Sequence, residues 1–168
     1  MRVFVVICCL FCVNLLSAQV TDSFSDGDYT TNPTWTASAT TDFTVAAGQL
    51  KSVNTTSNSS FYICTTNTLT SNCTWEFWVN LQFATSGANY VDAYLLSDNN
   101  NLAASNINGY FVRIGNTSDD ICLYKSTAGA QVILIDGVNS SVASSSNNLI
   151  KIKVTRTNAN LFTLERDM

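Results

Sequence analysis

The 168-residue sequence predicts an all-β protein, built as an antiparallel sandwich or barrel. Three observations predict it. No segment sustains the 3.6-residue apolar period of an amphipathic helix. Strict apolar/polar alternation recurs instead, clearest over residues 73–83 and 149–157. The alternating runs are separated by Gly, Asn, Ser and Asp clusters such as 97–101 and 140–148, roughly 10–20 residues apart.

Taken in order, residues 1–18 come first. Arg2, an apolar run from Val3 to Leu16 and the small pair Ser17-Ala18 resemble a secretory signal helix, cleaved before Gln19. The run is about 14 residues, shorter than the ~20 needed to span a bilayer. The sequence therefore predicts a secreted, extracellular chain with no membrane span after cleavage, and one domain over residues 19–168. Strands are expected at 42–46, 49–53 and 60–64. Residues 73–83 follow, with Trp75, Phe77, Val79, Leu81 and Phe83 on one face and Glu76, Trp78, Asn80 and Gln82 on the other. Further strands are expected at 89–97, 109–115, 120–125 and 131–136. In 149–157, Ile150, Ile152 and Val154 oppose Lys151, Lys153 and Thr155. A last strand is expected at 161–166. Because the sequence stops within a strand pattern, the domain is expected to be truncated at its C-terminal end.

Composition excludes several functions. There is no histidine, so no Ser-His-Asp or Cys-His nucleophile system and no His-ligated zinc. The net charge of −4 offers no broad attraction to nucleic acid or anionic lipid. Charged residues make up 12% of the chain, about half the usual fraction, and Ser, Thr and Asn replace them. After signal removal the cysteines are Cys64, Cys73 and Cys122. Export favours disulfides, and Cys64 and Cys73 flank a polar stretch that reads as a strand-to-strand loop. They are expected to bridge, the alternative being two buried thiols; Cys122, between Ile121 and Leu123, reads as an unpaired buried thiol.

An ordered set of strings also carries a resemblance. It runs from Asp22-Ser23-Phe24-Ser25-Asp26-Gly27-Asp28 through Trp35, Phe43-Thr44-Val45 and Gly48-Gln49-Leu50. It continues with Trp75-Glu76-Phe77-Trp78-Val79, then Gly109-Tyr110-Phe111-Val112-Arg113-Ile114-Gly115, then Ile152-Lys153-Val154-Thr155-Arg156. The set resembles the concanavalin A-like (laminin-G-like) jelly-roll domain at the N-terminus of secreted Bacteroidetes proteins, which often carry lamin-tail or C-terminal sorting domains. The resemblance implies a two-sheet antiparallel jelly-roll sandwich and extracellular location. It assigns no catalytic residues.

Chemistry-bearing residues are few. Carboxylate-based glycoside hydrolysis needs two paired acids. The only glutamates, Glu76 and Glu165, stand alone in their strands, so the chain reads as non-catalytic. Asp22, Asp26 and Asp28 could supply oxygens to calcium, or cap an Asp-Gly turn. Trp78, Asn80 and Gln82, with Asp92, Tyr94, Arg113 and Tyr124, form the ligand-binding set. Sugar rings present C–H faces that stack on aromatics, while amides and charged groups meet hydroxyls. The same residues also fit a packed sheet face with the tyrosine hydroxyls paired. The expected function is a non-catalytic adhesion module for carbohydrate or cell-surface polymer. The alternative is a structural module of a larger exported protein, with a glycosidase a distant third.

Overall fold

A computed structural model describes residues 20–167, so the expected signal segment lies outside the described residues. Those residues contain eleven strands and no helix. No helix among them is long and apolar enough to cross a membrane. The strands are β1 (Thr36–Ala37), β2 (Phe43–Ala46), β3 (Gln49–Ser52), β4 (Ile63–Cys64), β5 (Cys73–Leu81) and β6 (Tyr90–Ser97). Then come β7 (Gly109–Gly115), β8 (Asp120–Thr127), β9 (Ala130–Ile135), β10 (Asn148–Arg156) and β11 (Phe162–Asp167). Every pairing is antiparallel.

Two larger sheets dominate. One is a four-stranded meander in the order β6-β7-β8-β9, and the other is three-stranded in the order β11-β10-β5. They share one core. Leu81 of β5 and Ile150, Ile152 and Val154 of β10 meet Leu95 of β6, Val112 and Ile114 of β7, and Ile121 and Leu123 of β8. Trp75, Phe77 and Val79 pack against this cluster from β5, as do Phe162 and Leu164 from β11. The alternation in the sequence thus becomes a sandwich-like all-β arrangement, with the apolar stripes of β5 and β10 turned toward the four-stranded sheet. Two short ribbons, β2-β3 and β1-β4, complete the described strands.

The differences from the sequence expectation have local causes. β1 is only two residues long and exists through its pairing with β4, so no periodic run announces it. The run expected at 73–83 ends at Leu81, where cross-strand pairing to β10 ends with Asn148. The β8–β9 connection is a two-residue hairpin turn in which Ala128 and Gly129 both have positive φ, 49° and 84°. That combination matches the right-handed twist of the flanking strands. Gly129 is required there for a second reason: a Cβ would collide with the carbonyl oxygen of Ser105.

β9 forms one edge of the four-stranded sheet, and Val132, Ile133 and Leu134 are all exposed on it. The strand carries no charge to deter edge pairing. Concentrated solutions are therefore expected to self-associate, and Ile133→Lys to suppress it. Static light scattering checks this; equal scattering by both proteins would refute a role for this edge.

Candidate functional site

The outward face of the three-stranded sheet is built in rows across β5, β10 and β11. Alternation from the inward Trp75, Phe77 and Val79 turns Thr74, Glu76, Trp78 and Asn80 outward. Strand register then aligns Thr74 with Thr155 and Thr163, and Glu76 with Lys153 and Glu165. The next row joins Trp78 to Lys151 and Asp167, and the last joins Asn80 to Leu149. Trp78 is 62% exposed and Leu149 52%, so two apolar side chains lie open to solvent in adjacent rows. Lys151 Nζ is 2.7 Å from Glu76 Oε1 and 6.0 Å from the centre of the Trp78 ring. Lys153 Nζ is 3.6 Å from Glu165 Oε2.

Beside the tryptophan, two amides are held in place. Asn80 Nδ2 donates to Asn147 Oδ1 at 2.9 Å, and the Asn148 N–H donates to Asn80 Oδ1 at 3.1 Å. Each side-chain NH2 has two hydrogens, so this pair keeps spare donors toward solvent. Gln82 lies one residue past the end of β5 and is exposed.

The outward face of the four-stranded sheet differs in kind. Phe111 is fully buried and lies between Tyr94, at 5.0 Å between ring centres, and Tyr124, at 5.1 Å with planes only 5° apart. Arg113 is bound at both ends of its fork by Asp92: Nε donates to Oδ1 at 2.8 Å and Nη2 to Oδ2 at 2.7 Å. The two side chains are only 11% and 19% exposed. The guanidinium carbon sits 4.2 Å from the Tyr90 ring centre, 5.1 Å from Tyr124 and 5.3 Å from Phe111. The bonds to Asp92 hold Arg113 more firmly protonated. Burial pushes the Tyr94 and Tyr124 hydroxyls above their ordinary range. This is a packed aromatic and ionic cluster.

The ligand-binding set therefore divides. Trp78 and Asn80 lie at one outer side of the sandwich, and exposed Gln82 follows the end of their strand. Asp92, Tyr94, Arg113 and Tyr124 gather at the other, with the shared core between. Alternation shows which residues share a face of one strand, but not which strands share a sheet. Leu149 and Lys151 were missed as neighbours of Trp78 for that reason, since β10 follows β5 by some seventy residues of chain. Phe111 was hidden differently: it sits in the strand Gly109–Gly115, both of whose faces are largely buried, so no alternation marks it.

The carboxylates of the acidic turn accept hydrogen bonds from nearby backbone and side-chain groups. Asp22 accepts from the Phe24 N–H at 2.7 Å and from Trp35 Nε1 at 2.8 Å. Asp26 accepts from the Asp28 N–H at 3.2 Å. Asp28 accepts from the Thr30 N–H at 2.6 Å and from the hydroxyls of Thr30 and Thr31. The Thr30 N–H is the main reason the Asp28 carboxyl is held below its usual range. The bonds from the N–H groups of Phe24, Asp28 and Thr30 are the side-chain-to-backbone bonds of turns.

Cys64, Cys73 and Cys122 are free thiols. The expected Cys64–Cys73 bridge is not formed; Cys64 lies in β4, paired with β1, and Cys73 in β5, paired with β10. Cys64 Sγ lies 3.5 Å from the Asn100 carbonyl oxygen instead. Cys122 Sγ donates to Asp136 Oδ1 and accepts from the Gly137 N–H, both at 3.3 Å. Asp120, Cys122 and Asp136 bring one ligand atom each within 4.8 Å of the others, the only such trio among the described residues. Burial, the largest influence, pushes the Cys122 thiol up to about 12. With its proton held and shared with Asp136, it is a satisfied buried thiol.

Two outcomes follow for Cys122. In the folded protein at neutral pH, iodoacetamide is expected to label Cys64 and Cys73 and to reach Cys122 only after unfolding; intact and peptide masses check this. The folded value lies above the ordinary thiol value of 9.0. The associated stability is therefore complete below 9.0 and is lost as pH rises through about 12. Cys122→Ala should flatten that part of the alkaline unfolding curve.

Compared with known proteins, the chain matches no family model, no curated protein and no solved structure.

Proposed function

We propose that this chain is a non-catalytic, extracellular carbohydrate-binding module of jelly-roll type, with Trp78 as its stacking platform. One observation carries the reading: Trp78 is 62% exposed on an outward sheet face, beside Leu149 and a pre-positioned pair of amides. Exposing a large aromatic ring to water is unfavourable. The C–H face of a sugar ring offers it a partner, while Asn80 and Asn147 supply bonds to hydroxyls. The other half of the set, around Arg113, has its charges and rings already engaged with one another and contributes structure.

Carboxylate chemistry fits this face poorly. Register does place Glu76 and Glu165 in one row, two strand spacings apart, or about 9–10 Å between backbones. Lys153 stands between them, each glutamate is ion-paired, and the row is open to solvent. An exposed, ion-paired row of this kind lacks the enclosure that glycosidase carboxyl groups need.

Trp78→Ala tests the proposal. It is expected to abolish retardation of the protein in polysaccharide-containing native gels. Because the ring is mostly exposed, the stability cost should stay within about 1 kcal/mol, against ~3–5 kcal/mol for a buried tryptophan. Equal retardation of wild type and variant, or none for either, favours the structural-module reading.

A further inference from the structure

We infer that the Trp78 face selects uncharged glycans and rejects acidic ones; this inference rests on the carbohydrate-binding reading above. The cations on the face all stand among carboxylates. Both lysines, Lys151 and Lys153, stand on the central strand β10. Each is bracketed by carboxylates. Lys153 lies between Glu76 and Glu165 in register, and Lys151 is bonded to Glu76 at 2.7 Å with Asp167 in register on its other side. Two cations thus face three carboxylates, and the carboxylates occupy the outer strands.

A uronate or sulfated polymer laid across this sheet would find each ammonium already paired. It would meet Glu76 at one rim and Glu165 and Asp167 at the other. Unpairing a lysine to reach the ligand would leave a glutamate facing a like charge, which disfavours that partner. An uncharged chain meets no such opposition. Its ring faces cover Trp78 and Leu149, and its hydroxyls meet Asn80, Asn147 and the row Thr74, Thr155 and Thr163. Those groups are donors and acceptors without net charge. The face therefore holds both the apolar and the neutral polar halves of a neutral sugar's surface, and its ion pairs act as the filter.

The full chain is tested by affinity electrophoresis at low salt and at about 0.15 M salt. Soluble β-glucan and galactomannan serve as neutral probes, and polygalacturonate and alginate as acidic ones. The expected result is retardation by a neutral probe, insensitive to salt, and at least about thirty-fold weaker for Trp78→Ala, the loss typical of an aromatic anchor. Acidic probes should bind wild type at least about tenfold more weakly than the neutral probe. The double variant Glu76→Gln/Glu165→Gln leaves both lysines unpaired by these glutamates, and should gain salt-sensitive binding to polygalacturonate. Equal or tighter wild-type binding to an acidic probe, lost in Trp78→Ala, overturns the selectivity and leaves the binding site standing. Binding that Trp78→Ala does not change, or no binding to any probe, overturns the binding site and the selectivity with it.

Discussion

Phe111→Ala is expected to cost about 3–5 kcal/mol of folding stability, the range for a fully buried phenylalanine. The ring has no solvent exposure although it lies on the outward face of its sheet. Tyr94 and Tyr124 flank it at 5.0 and 5.1 Å, and the Arg113 guanidinium stands 5.3 Å from its centre. Truncation removes three ring contacts at once and leaves a void between side chains fixed on three different strands. β6, β7 and β8 are held in register by the ladder, so the walls cannot close on it. Urea unfolding checks this, through a lower midpoint with an unchanged slope. A loss below about 1 kcal/mol would mean that the cluster is loosely packed.

Arg113→Ala is expected to cost about 3 kcal/mol, the lower end for breaking a buried ion pair, because the pair keeps slight exposure. The loss comes from what remains. Asp92 would be left in a half-buried position without the two bonds that now satisfy it. Replacing both partners with apolar residues, as in Arg113→Met with Asp92→Leu, should recover a good part of the loss. A double variant no better than the single one would contradict this. Arg113 touches Phe111, so the two large effects will not add, and a double-mutant cycle should show coupling. Neither change should weaken retention on polysaccharide by the molecules that remain folded, because Trp78 belongs to the other sheet.

The sequence grouped Arg113 and Asp92 with Trp78 in one ligand-binding set; Phe111 stood outside that set but packs against two of its members, Tyr94 and Tyr124. Trp78 itself was legible. Alternation with Trp75, Phe77 and Val79 put it on the opposite face of β5, although only the structure shows that face open to solvent. The ion pair between Asp92 and Arg113 was not legible, because it depends on β6 and β7 being aligned at those two residues. The row Glu76–Lys153–Glu165 was equally hidden. Each residue is polar and alone in its own strand, and only pairing through β10 sets them side by side.

The sequence by itself determined the all-β class, most strand positions and the division of each strand into two faces. Those are local consequences of the extended backbone, whose side chains alternate every residue, and of turn residues that break the runs. Only the tertiary structure decided which strands share a sheet, and hence that Trp78 stands in solvent with Lys151 and Leu149 while Tyr94, Arg113 and Tyr124 close around Phe111. It likewise left Cys64 and Cys73 unbridged. Sheet partners are chosen by backbone hydrogen bonds and core burial between segments far apart in the chain, and no local period carries that choice.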